Sequence, residues 1–251
     1  MVNNKQEYIK MNNVESKHWW YKSLHKLVLS TIRDQFYFSN ISILDAGCGT
    51  GGLLHFLSRD KNYSLEGFDI SEEAISIAKS KDLKVEYMDL KKYKYTNKLY
   101  DVIISNDTMY FFTLEEQTLI LNEFYKSLKH NGIIILNLPS LDIFSGSHDE
   151  AVGITKRFNE KMVSSMVDSS KYRIIKKIYW PFLLSPIIFL VRYMQRLQLK
   201  SKKNIEIKSD IDMPSSIVNN ILYKIVSFEN KFFKKKPFGS SLFLVLKKDV
   251  K

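Results

Sequence analysis

The sequence predicts an α/β fold built on a doubly wound, mostly parallel sheet. Two observations carry this. Short β-branched apolar runs alternate with helical stretches up to about residue 140, and a glycine-rich turn directly follows the first run. Strands separated by helices imply right-handed crossover units, with helices on both faces of a parallel sheet. Ligands in such sheets bind at the carboxyl ends of the strands.

Residues 41–46 (ISILDA) read as a buried strand by length and β-branching, and 51–58 as a helix. Residues 65–70 are a second strand. Ser71 then supplies an N-cap, with Glu72 and Glu73 in the first turn, where the helix dipole favours them. Ala74, Ile75 and Ala78 give that helix its apolar stripe. Residues 85–90 and 100–105 are a third and a fourth strand. Thr113 and Glu116 form a capping-box pattern ahead of Leu119, Ile120, Phe124 and Leu128. Asn131 and Gly132 stop this helix, and 133–138 (IIILNL) is a fifth strand.

The 251 residues suit one large domain or one domain with a sizeable insertion. An apolar fraction of 45% excludes a disordered chain. The single cysteine, Cys48, excludes a disulfide framework and a multi-cysteine zinc site, so no metal is expected and a reducing, intracellular compartment fits. The N-terminus has no apolar h-region of a signal peptide. The longest uncharged apolar run, 178–191, is broken by Pro181 and Pro186 and is too short for a span of about 20 residues. A cytoplasmic location is therefore expected. Charge is uneven: residues 1–150 hold 17 Lys+Arg and 20 Asp+Glu, net −3, whereas 151–251 hold 21 and 7, net +14. Either these lysines are merely solvated, or the last third meets something anionic: a phosphorylated substrate, a membrane surface or nucleic acid.

The turn Asp45-Ala-Gly47-Cys48-Gly49-Thr-Gly51-Gly52 lets a ligand approach the backbone closely at a helix N-terminus. By spacing alone Gly47, Gly49 and Gly52 also satisfy a dinucleotide fingerprint. Asp45 discriminates. A carboxylate there would repel a pyrophosphate, but it would attract the ammonium and sulfonium of S-adenosyl-L-methionine.

At this point the sequence resembles the class I S-adenosylmethionine-dependent methyltransferases over roughly residues 39–140. ILDAGCGTGG (43–52) looks like the first family motif, and GFDIS (67–71) like the second. The resemblance implies a Rossmann-like core. It assigns Asp69, followed by Ile70, to the ribose hydroxyls, and Asp89 with Leu90 to the adenine. YDVIISNDTMYFF (100–112), with Asn106, looks like the fourth-strand motif beside the reacting methyl group. KHNGIIILNLP (129–139) resembles the fifth-strand entry, with His130 and Asn131 departing from the usual K-P-G-G. Asp45, Gly47, Cys48, Gly49 and Gly51 complete the implied cofactor site, and S-adenosyl-L-homocysteine would be the product.

Outside the core, His18-Trp19-Trp20-Tyr21 resembles the H-W-W-aromatic arm of bacterial small-molecule methyltransferases related to quinone-biosynthesis enzymes. Core packing against Leu24, Leu27 and Val28 would explain the tryptophans equally well. After strand five that group carries His-Asp, Gly-His and basic-Arg-aromatic. Here stand His148-Asp149, Gly153-Ile154 and Lys156-Arg157-Phe158, so the role of the second histidine is void.

Residues 172–179 look like strand six and 240–248 like an antiparallel strand seven. About 60 residues intervene, longer than a plain loop should be. The expected organisation is a helical arm over 1–38, a cofactor-binding core over 39–180, a basic and apolar helical cap over 181–236 and a last core strand over 237–251. If strand six is parallel to the first five, its end lies on the cofactor side and the insertion caps the active site.

Of the five histidines, His148 follows strand five at the catalytic edge and is the expected base, oriented by Asp149. His18, Trp19, Trp20, Tyr21 and Tyr110 would wall the acceptor pocket, and Arg157 would grip an acceptor anion. The expected function is methyl transfer to a small molecule, a hydroxyl or carboxylate on an amphiphilic or anionic metabolite, with peripheral contact to an anionic membrane. An RNA methyltransferase is the second reading, but the chain lacks proline in Ser105-Asn106-Asp107-Thr108 and a regular aromatic stacking platform. A non-catalytic cofactor-binding partner domain is the third.

Overall fold

A computed structural model describes residues 5–37, 40–200 and 212–249. Seven strands form one sheet: β1 (Ile41–Ala46), β2 (Tyr63–Asp69), β3 (Val85–Tyr87), β4 (Tyr100–Asn106), β5 (Leu128–Pro139), β6 (Tyr172–Trp180) and β7 (Ser241–Lys248). Their order is β3-β2-β1-β4-β5-β7-β6. The first five pair in parallel, whereas β7 runs antiparallel to both β5 and β6. Strand β6 therefore points the same way as β1–β5, and Trp180 ends at the edge where Asp45, Asp69 and Asn106 end.

Alternation along the central strands separates two cores. Ile103, Ile134, Leu136, Leu244 and Leu246 pack toward α5 (Leu114–Ser127) and α7 (Glu160–Met166). Val102, Ile104, Ile133, Ile135 and Val245 pack toward α2 (Trp19–Gln35) and α3 (Gly52–Leu57). The local signals act as their chemistry demands. The Ser71 hydroxyl caps α4 (Glu72–Lys79), accepting from the Ala74 N–H at 3.2 Å. Thr113 and Glu116 close a reciprocal capping box on α5, at 2.8 and 3.2 Å.

Two strands differ from expectation. Strand β3 stops at Tyr87, because the Asp89 carboxylate accepts the Lys91 N–H and caps a short 3-10 turn, Leu90–Lys92. Strand β5 begins at Leu128, before the turn residues rather than after them. Asn131 adopts φ +60° inside the strand, and the pairing with β4 shifts register between Tyr100 and Val102. Helix stop and strand start are here the same irregular segment.

The N-terminal segment forms α1 (Lys5–Val14) and α2. Residues between β6 and β7 form α8 (Ser185–Lys200) and α9 (Ser216–Phe232). The centre of this insertion, 201–211, lies outside the described residues. A buried carboxylate ties the insertion to the sheet. Glu229 of α9 accepts the backbone N–H groups of Phe182 and Leu183 at 2.8–2.9 Å, and the Lys236 ammonium at 3.2 Å. Among the described residues, no helix is long and apolar enough to cross a membrane.

Candidate active site

The carboxyl ends of the parallel strands open into one cavity of about 820 Å3. Of the residues singled out by sequence, all line it except Gly51 and Asp149. Gly51 adopts φ +79° at the start of α3, and the hydrogen in place of its side chain faces Leu83 and Ala78. Gly51 thus serves the packing of α4 on the loop, and Gly52 lines the cavity instead.

The glycine loop is held from β2. The Asp69 carboxylate accepts the Gly49 N–H at 2.9 Å through one oxygen and the Ser71 N–H at 2.9 Å through the other. Each oxygen keeps a lone pair for a ligand hydroxyl. Gly47 has φ +88° and approaches Thr108 so closely that a Cβ would collide with the threonine methyl. Gly49 has φ +53° beneath Met11 of α1.

Three carboxylates surround this loop. Asp45 is 3% exposed, and its pKa is pushed up to about 8 by burial first, then by Asp69 and Glu15. Burial likewise raises Asp69 and the Cys48 thiol. Glu15 accepts the Lys81 ammonium at 2.6 Å and the Thr50 hydroxyl at 2.8 Å, which pins the end of α1 to the loop. The Oδ1 of Asn106 is buried at the end of β4 and accepts no hydrogen bond. A cation with N–H donors satisfies this orphaned acceptor and favours the ionised form of the acidic groups around the loop. The donor set therefore fits the methionine end of S-adenosyl-L-methionine; Asp69 has lone pairs that could meet the ribose hydroxyls, and Asp89, one oxygen already on the Lys91 N–H, lines the same cavity. Leu90 is buried and Ile70 half-buried next to them.

The opposite wall is aromatic. His18 caps α2, its Nδ1 accepting the Trp20 N–H at 3.3 Å. Trp20 stacks on Trp180 at 5.4 Å and meets Tyr21 edge-on at 5.1 Å. The Trp19 N–H donates to Asn219 of α9 at 2.8 Å. The arm thus has capping, packing and cavity-lining roles at once. Burial raises the Tyr21 and Tyr110 hydroxyls, so both are neutral donors at pH 7.

Two expectations are corrected here. Asp149 is not held for His148 alone, because both its oxygens already accept from Arg157, at 2.6 and 2.7 Å. Arg157 is not an open anion grip, because its Nη1 also donates to the Ser140 and Ser240 carbonyls, at 3.2 Å each. Four of its five N–H groups are thereby used inside the protein. The buried pair instead holds the loop carrying His148, in α6 (Ser147–Val152), against β5 and β7.

Sequence reasoning missed the α1 residues Glu7, Tyr8 and Met11, Glu15 just after that helix, and also Asp107. Helix α1 buries no residue fully, so it offers no periodic signal, and its approach to the loop is tertiary. Asp107 does carry a signal: a polar residue directly after a β-branched strand. It adopts φ +53°, the left-handed region, and its carboxylate lies 3.0–3.1 Å from the Asn137 amide nitrogen. Burial pushes its pKa up to about 7, against the opposing Asn137 and Arg157. Among the described residues no acidic, histidine or cysteine group could hold a metal.

Residues 38–185, more than half of the chain, match the family described as Methyltransferase domain. The chain belongs to that family. This methyltransferase domain is 31% identical over 104 residues to carboxy-S-adenosyl-L-methionine synthase of Campylobacter jejuni subsp. doylei, covering 39% of this chain and 44% of that protein. It is 29% identical over 121 residues to phosphoethanolamine N-methyltransferase 3 of Arabidopsis thaliana, covering 46% and 24%. The chain spans less than half the length of these curated relatives. Its fold is similar to N-methyltransferase NodS from Bradyrhizobium japonicum, solved with S-adenosyl-L-homocysteine (TM-score 0.54, 10% identity, 92% of this chain and 88% of that one). It is also similar to the [4+2]-cyclase SpnF (TM-score 0.58, 15% identity, 92% and 83%). The second likeness shows that this fold also serves other chemistry, so the reaction must be argued from the site.

Proposed function

We propose that the protein transfers a methyl group from S-adenosyl-L-methionine to a small-molecule acceptor. The observation that carries this is the acidic glycine-loop cradle: Asp45 buried at the end of β1, where a nearby cation favours its ionised form, Asp69 holding Gly49, and the orphaned Asn106 oxygen. When bound, the cofactor supplies a methyl group on a sulfonium, already a good leaving group. The protein's remaining work is to place the acceptor and remove its proton. Trp19, Trp20, Tyr21 and Tyr110 enclose the acceptor, and His148 takes the proton.

A second reading of the base is favoured by one observation. Asp107 stands directly after β4 with a pKa near neutrality, whereas the carboxylate expected to orient His148 also pairs with Arg157. In that reading Asp107 takes the proton and His148 hydrogen-bonds the acceptor.

The acceptor is an amphiphilic or anionic metabolite with a hydroxyl or carboxylate. The aromatic arm, its resemblance to the quinone-related group and the basic last third support this, and peripheral contact with an anionic membrane belongs to the same reading. Cap residues Ile188 and Arg192 reach the cavity from α8, consistent with an insertion that closes over substrate. Calorimetry with S-adenosyl-L-methionine and NAD tests the cofactor, with the former expected to bind and the latter not. Incubating a metabolite pool with labelled cofactor, then weighing the product, tests the transfer. Tighter binding of NAD would overturn the reading.

A further inference from the structure

Helices α8 and α9 each expose a stripe of apolar side chains besides those they pack on the core. On α8, Arg192, Gln195 and Arg196 turn inward, whereas Ile187, Leu190, Val191, Met194 and Leu197 are 47–63% exposed. On α9, Asn219, Val226 and Glu229 are buried and Leu222 and Ile225 pack on the core, yet Ile217, Val218, Ile221, Phe228 and Phe232 are 47–72% exposed. In both helices the exposed apolar positions recur every three or four residues, with one longer step on α9, so each forms an outward stripe. A soluble helix carries its stripe toward the core, and an outward stripe of this size marks a contact surface.

Charge identifies what the stripes contact. Among the described residues of the insertion Asp212 is the one exposed acidic side chain, and Arg192, Arg196 and Lys236 turn inward. Lys224, Lys231, Lys234 and Lys235 are exposed around the α9 stripe. A second copy across a two-fold axis would set lysine against lysine, since such an interface pairs a patch with itself. An anionic lipid surface satisfies both features, apolar side chains in the acyl boundary and lysines among the headgroups. The inner side of α8 borders the cavity through Ile188 and Arg192, so a single helix separates the outward stripe from the candidate active site.

We infer that α8 and α9 form a docking face for an anionic membrane and that the acceptor is an amphiphile entering the cavity from that surface. The second half rests on the methyltransferase reading, and the docking face does not.

The test is flotation of the full chain with vesicles of phosphatidylcholine alone and of phosphatidylcholine with phosphatidylglycerol. Anionic vesicles should carry at least about tenfold more protein, the factor that one or two nearby cations supply. Leu190→Glu with Met194→Glu, and separately Phe228→Glu with Phe232→Glu, should each cut flotation at least about tenfold. None of these side chains lines the cavity, so calorimetric affinity for S-adenosyl-L-methionine should stay at the wild-type value and certify folding. Absent flotation, equal flotation on both vesicle types, or undiminished flotation of the folded variants would overturn the proposal. So would a wild-type dimer that the variants turn into monomers and that binds no vesicle. Flotation as expected, by a protein that binds no S-adenosyl-L-methionine, would leave the docking face standing and remove methyl transfer.

Discussion

Both carboxylate oxygens of Asp107 lie within hydrogen-bond distance of one group, the amide nitrogen of Asn137, at 3.1 and 3.0 Å. The same amide accepts the Trp180 indole N–H through its oxygen at 2.9 Å, and Trp180 stacks on Trp20. This chain of contacts crosses from β4 through β5 to β6 and out to the aromatic arm. It fixes the Asn137 amide in one orientation, because its nitrogen must face Asp107 and its oxygen Trp180.

Asp107 should leave a pH signature in stability. Its folded pKa is about 7, above the ordinary carboxylate value, because burial disfavours the charge. The folded protein holds the proton longer than the unfolded chain. Its contribution is therefore full below the unfolded value near 4, is lost as pH rises toward 7 and is constant above that. Asp107→Asn should raise Tm relative to wild type increasingly between those limits, and melting curves across that range check it. Turnover separates the two candidate bases. If His148 is the base, His148→Ala cuts kcat by about 100-fold or more. If Asp107 is, that variant stays near wild type, and Asp107→Asn loses the rate limb near pH 7.

Asp69→Ala should weaken cofactor binding at least about 100-fold, from two lost charge-assisted hydrogen bonds of about 1.5–3 kcal/mol each. It also frees the Gly49 and Ser71 N–H groups that position the loop. Calorimetry on the folded variant reads the loss, and unchanged affinity would remove the ribose assignment.

Asp45, with its pKa near 8, is largely protonated at pH 7 in the free protein. A cation brought beside it favours the charged form, so cofactor binding should release a proton. Apparent affinity should then fall as pH drops below about 8. Calorimetry in two buffers of different ionisation heat measures the proton, and Asp45→Asn should abolish the difference.

The Arg157–Asp149 pair predicts a stability effect. Asp149→Ala strands a buried guanidinium and should cost about 3–5 kcal/mol in urea unfolding, whereas Asp149→Leu with Arg157→Met should recover most of it. Were Arg157 held free for an acceptor, Asp149→Ala would leave stability nearly unchanged.

Glu229 makes a parallel case at the cap. Glu229→Ala leaves the fully buried Lys236 side chain, whose pKa burial already lowers, without its carboxylate, and also the Phe182 and Leu183 N–H groups. The cap should loosen from β6, and limited proteolysis of the folded protein should quicken several-fold while cofactor affinity holds. Adding Lys236→Met should slow cleavage again, because it removes the unpaired charge.

What the sequence by itself determined is the part governed by local chemistry. The β-branched runs, the Ser71 and Thr113 caps, the glycine loop and the two strand-end carboxylates Asp45 and Asp69 act through neighbours a few residues away or through strand direction. They were legible for that reason, and so was the cavity to which the strand ends converge. Tertiary structure decided the rest, because the deciding partners are far apart in the chain. It set Arg157 against Asp149 and the Ser240 carbonyl and so withdrew it from the acceptor. It brought Glu15 to Thr50 and Lys81 and so placed an unremarked helix over the loop. It turned the apolar stripes of α8 and α9 outward. Periodicity shows that a helix has an apolar face, but only packing shows which way the face points.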